Sequence, residues 1–153
     1  MKARYWGGAI AGSLIAGLGI TAMMMAGERK SGKPSELIDL ERASARRLDL
    51  AVADAGALPT AGEQGVAQGG HLLLSMIAGA AYAAATDEDT DPLVGGTLFG
   101  LSFYALAHWL TGPALGVKPP EWESDGKTIA MHAVNHVGFG LVTAYAARAA
   151  ARA

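Results

Sequence analysis

The chain contains no cysteine. That excludes disulfides, thiolate metal sites, c-type haem attachment and iron–sulfur clusters. Charge is scarce as well. Only 17% of the 153 residues are Asp, Glu, Lys or Arg, and four long stretches have none of them. These run from Tyr5 to Gly27, Gln64 to Thr86, Pro92 to Val117 and Thr128 to Ala147, or 23, 23, 26 and 20 residues. A helix needs roughly 20 mainly apolar residues to cross a hydrocarbon layer about 30 Å thick. The helices of a soluble bundle show a polar stripe at period 3.6, and these runs show none. A formal charge of −2 gives no reason to expect nucleic acid as a partner.

What is present therefore predicts an all-α protein, an integral membrane four-helix bundle forming a single membrane domain over residues 1–153. The spans are expected near residues 6–26, 67–86, 93–112 and 128–147, with the lipid bilayer as the main partner. Lys2 and Arg4 make a basic start, but the oily segment that follows is longer than a signal-peptide core and reads as an uncleaved first helix. Small residues recur at four-residue spacing: Gly8 and Gly12, then Ala9, Ser13 and Gly17, in the first span. Ser75 and Gly79 do so in the second, and Gly96 and Gly100 in the third. In lipid, helix association depends on close approach, so these rows predict helix–helix seams.

The polar segment 28–63 holds an additional amphipathic helix, expected to start at Pro34–Ser35 and to stop before Gly56. Leu37, Leu40, Ser44, Leu48 and Val52 lie near one face of it, which suits a helix in the membrane interface or a cap packed on the bundle. Ala57 to Gly69 reads as a loop. In the third connection Pro119 and Pro120 read as a stop and a stiff turn. Trp109 and Trp122, with those prolines, are the expected interface anchors. Eight cations fall in the first and third connections and four on the opposite face, so the positive-inside rule puts those connections in the cytoplasm.

All four histidines fall in the oily runs. Alternating spans put His71, His108, His132 and His136 toward one face, together with Glu28. His132, Asn135 and His136 share one side of the last helix. Two histidines one turn apart are a known metal-binding arrangement, but HAVNH lacks the acid of the zinc-hydrolase motif. No catalytic arrangement is visible, and a non-enzymatic protein is expected.

Gly8 and Gly12, the stretch GHLLLSMIAGAAYA, and AHWLTGPALGVKPPEW followed by a histidine-bearing last helix resemble the YagU-like proteins of the bacterial inner membrane. The resemblance runs from Gly8 to Tyr145 and is most specific at His108, Trp109, Gly112, Pro113, Leu115, Gly116, Pro119, Pro120 and Trp122; the charged first connection matches least. It implies a multi-pass inner-membrane protein without an established activity and with a link to acid resistance. Three functions stay open. One is an acid or envelope stress protein whose histidines respond to protons, with no cofactor. Another holds haem or a divalent metal on the same histidines. The third is a structural subunit of a homo-oligomer or membrane complex.

Overall fold

A computed structural model describes residues 2–153. Among these residues five helices make up the fold: α1 (Lys2–Ser31), α2 (Glu36–Arg47), α3 (Ala61–Ala85), α4 (Pro92–Ala114) and α5 (Gly126–Arg152). A 3₁₀ turn, Glu121–Glu123, lies between the last two. Helices α1 and α4 are each long and apolar enough to cross a membrane. Helices α3 and α5 have the length but do not reach the same apolarity. Gln64, Gln68 and His71 dilute the first, and His132, Asn135 and His136 the second.

Helix α1 packs between α3 and α5, and α4 covers the other side of α5. The two small-residue rows of α1 meet different partners. A Cβ on Gly8 would stand 2.6 Å from the Ala146 carbonyl oxygen of α5 and one on Gly12 2.5 Å from Ala146 Cβ, whereas Ser13 and Gly17 lie against Gly79 and Ser75 of α3. Gly96 and Gly100 of α4 press on the backbone of α5 at Gly140 and His136 in the same way. The core sits at the end that carries the termini: Tyr5, Ala9, Tyr82, Ala83, Ala144 and Ala147, with Phe99 against them. Helices α3 and α4 meet there through the rings of Tyr82 and Phe99, 5.2 Å apart. The bulky aliphatic side chains, including Ile15, Leu18, Leu73, Ile77, Leu98 and Val134, point outward.

Helix boundaries follow local chemistry, and three differ from expectation. Helix α2 stops at Arg47 rather than before Gly56. Asp49 adopts φ 55°, and the amides of Asp49 and Leu50 close on the carbonyls of Arg46 and Ala45. This is a Schellman cap with Asp where glycine is usual. Helix α3 begins at Ala61, inside the stretch expected to be a loop. Thr60 Oγ1 accepts from Glu63 N at 3.2 Å and Glu63 Oε2 accepts from Thr60 N at 2.8 Å, a capping box. Helix α4 continues through Pro113 and is ended by Gly116, not by the double proline. Gly116 takes φ 62°, with its amide on Pro113 O and the Val117 amide on Gly112 O.

The burial of α2 also differs from the expected leucine face. Ile38 and Arg42 are buried, while Leu48 is 72% exposed. Arg42 donates to Glu63 Oε1 at 3.0 Å and to the Ala57 carbonyl at 2.9 Å, and Arg47 donates to the Gly116 carbonyl at 2.9 Å. Polar bonds, more than leucine packing, hold α2 across the end of the bundle.

Candidate metal centre

Three segments converge beneath α2, which supplies a fourth part of the site. Residues Ala105–Thr111 of α4 are π-helical, with His108 in their middle. Pro113 has no N–H to give the preceding turn, and a wider turn accommodates its ring. The His108 ring comes to 4.5 Å from that of His132 and 5.0 Å from that of His136 on α5. The connection after Gly116 then turns through Pro119 and Pro120 and carries Glu121 back under the helices, where it is fully buried. Glu36, in the first turn of α2, closes the cluster from above.

The polar contacts are dense. His132 Nδ1 lies 2.6 Å from Glu121 Oε1 and its Nε2 lies 2.9 Å from Glu36 Oε2, so one imidazole bridges two carboxylates. Such a bridge takes a proton on each ring nitrogen. Lys118 Nζ stands 2.7 Å from Glu121 Oε2 and 2.9 Å from His108 Nδ1, and it also pairs with Glu36. His108 Nδ1 is 3.3 Å from Glu121 Oε2, and Tyr104 donates its hydroxyl to Glu121 Oε1 at 3.3 Å. Burial alone would raise both glutamate pKa values. The bonds from His132 and Lys118 outweigh it and hold Glu36 and Glu121 at about 2. Burial likewise works against the Lys118 ammonium, but Glu121 and Glu36 prevail and raise its pKa.

One ligand atom from each of Glu36, His108, Glu121 and His132 lies within 4.8 Å of the other three, a group able to hold a metal ion. Two imidazoles and two carboxylates suit a first-row divalent ion such as Zn²⁺, Fe²⁺ or Mn²⁺. Ligand atoms around a tetrahedral zinc stand roughly 3.4 Å apart.

The structure separates the residues singled out in the sequence. His108, His132 and His136 share one cluster, and His136 Nδ1 lies 2.9 Å from the carbonyl of His132. Asn135 is half-buried on α5 and stands outside these contacts. His71 belongs to a second network between α1 and α3, where its Nδ1 lies 3.2 Å from Thr21 Oγ1. Thr21 donates to Gln68 Oε1 at 2.8 Å, Gln68 to Gln64, and Gln64 to the buried Glu28. Trp109 and Trp122 pack edge to face at 5.8 Å on the outer side, both partly exposed. Glu36, Lys118, Glu121 and Tyr104 were not anticipated. An acid between a double proline and a tryptophan, next to an oily helix, is the one signal that pointed to Glu121.

Fold and site together define the class: an all-α protein with two helices fit to cross a membrane and a His₂Glu₂ cluster able to coordinate metal. Comparison of the chain with protein-family models, with characterised proteins and with solved structures gives no match.

Proposed function

We propose that this chain is a four-span protein of the bacterial inner membrane that binds a first-row divalent cation at one face through Glu36, His108, Glu121 and His132. The observation that carries the metal reading is the convergence of those four ligand atoms within 4.8 Å from four separate segments. The distribution of side chains supports the membrane. Small and polar residues fill the seams while leucine and isoleucine face outward, and only 28% of the most apolar part of α1 and 17% of that of α4 is buried. A core helix of a soluble protein has the opposite balance. With α1, α3, α4 and α5 as spans, α2 lies on the face that the positive-inside rule assigns to the cytoplasm.

Equilibrium dialysis of the detergent-purified protein against Zn²⁺ or Mn²⁺, followed by elemental analysis, tests the metal reading. We expect one ion per chain, lost in Glu121→Gln and His132→Gln and kept in His71→Gln, which lies outside the cluster. A wild-type protein that retains no metal after dialysis sinks it. The resemblance to YagU-like proteins supports the inner-membrane assignment and brings an acid-resistance role with it. Survival of cells lacking the protein after acid challenge is the test of that role, and unchanged survival removes it.

A further inference from the structure

Lys118 stands where the cation of the proposed centre belongs. Its ammonium bonds three of the four candidate ligands: Glu121 Oε2 at 2.7 Å, His108 Nδ1 at 2.9 Å, and Glu36. An ammonium and a divalent ion use the same lone pairs, so the two cannot hold these groups together. The lysine reaches the cluster from a connection rather than from a helix. It follows Gly116, whose left-handed backbone turns the chain, and its stem lies so close to Gly112 that a Cβ there would meet Lys118 Cβ at 3.2 Å. Its side chain keeps 15% of its surface exposed. A four-carbon stem with a compact, strongly hydrated head can therefore swing outward while α4 and α5 stay in place.

We propose that Lys118 is a tethered internal competitor: it fills the cation position until a first-row divalent ion displaces it to solvent, and it thereby sets the metal affinity. This rests on the metal reading above. It also accounts for charge. Lys118 and a doubly protonated His132 ring balance the two carboxylates, and a divalent ion with neutral imidazoles balances them equally.

Calorimetric titration of Zn²⁺ into the full chain in detergent, wild type against Lys118→Met, tests the competitor. The methionine keeps the length of the stem and loses the charge. Removing a competitor that makes charge-assisted hydrogen bonds tightens Zn²⁺ binding about tenfold or more. Binding by the variant alone overturns the displacement, because the wild type then never exchanges the ammonium for the ion. Equal or weaker binding by Lys118→Met, with the wild type still binding, overturns the competitor and leaves the metal site standing. No binding by either protein overturns both. A second measurement needs no variant: acetylation of Lys118 in the wild type, referenced to Lys30, with and without saturating Zn²⁺. Displacement to solvent raises Lys118 labelling several-fold, and unchanged or reduced labelling overturns the proposal even if Lys118→Met does not fold.

Discussion

Glu121 is a fully buried carboxylate with four polar neighbours: Lys118, His132, His108 and Tyr104. Its charge is tolerated because two cationic groups share its oxygens. Glu121→Gln keeps the shape and removes the charge, leaving the Lys118 ammonium and the His132 bridge facing an amide. Breaking one side of a buried pair costs about 3–5 kcal/mol. We expect the variant to melt well below the wild type in the same detergent, and an unchanged melting temperature would show that the network contributes little to the fold. The histidines of this site were legible in the sequence because imidazoles in uncharged runs are conspicuous, and alternating spans give their side. Their carboxylate partners were not. Glu36 and Glu121 lie 72 and 13 residues from His108 in the chain and sit in polar connections, where an acid is ordinarily a solvated group. Only the fold of those connections brings them under the helices.

The helices themselves were legible, and their ends less so. Uncharged length predicts α1, α3, α4 and α5, and Asp91–Pro92 predicts the start of α4, where Asp91 Oδ1 accepts from Leu93 N and Val94 N at 3.0 Å. The π-helical segment around His108 has no signature in residue type apart from the proline beyond it, and Asp49 as a left-handed cap is indistinguishable from any solvated acid. The threonine and glutamate of the α3 capping box were visible but stood among glycines that read as a loop. The seams permit a sharper test. A Cβ on Gly140 would stand 2.8 Å from the Gly100 amide nitrogen, so Gly140→Leu cannot be seated without parting α4 from α5. Overpacking of this kind costs about 1–3 kcal/mol. Gly138, with open space around it, should accept alanine without loss of melting temperature.

The start of α5 adds a dependence on pH. Asp125 accepts from the Thr128 hydroxyl at 2.7 Å and from the amides of Lys127 and Thr128, and these bonds hold its pKa below the ordinary 3.8. A carboxylate whose folded pKa is depressed contributes fully above its unfolded value, and the contribution disappears as pH falls through the folded one. Melting temperature should therefore decline below about pH 3.8 by less in Asp125→Asn, which cannot titrate, than in the wild type. Equal acid slopes in the two proteins would remove Asp125 as a contributor.

At the scale of the molecule, the two ends of the helices differ in kind. One end holds a core of tyrosine and alanine, and the other holds buried ion pairs under α2. Between them the outer surface is leucine, isoleucine and valine. Water would leave that belt as a large exposed apolar surface, which monomeric soluble proteins rarely carry. In the proposed bilayer that penalty is removed, and α2, followed by the exposed Leu48 and Leu50, would lie at the depth where an amphipathic helix rests. The apolarity of α3 and α5 is lower because they supply the polar groups to both networks. Their His71, His132 and His136 are at least half-buried against neighbouring helices, so a hydropathy average counts against these helices residues that the exterior scarcely meets. The proposed four crossings would put both connections that build the cluster in one compartment. Reporter fusions at residues 60 and 123 should give the same compartment, and a fusion at residue 88 the opposite one. If only α1 and α4 cross, α3 stays on the side where α1 ends and residue 88 reports with residue 60. That result would take α3 and α5 out of the membrane and leave the histidine and glutamate cluster without a lipid boundary above it.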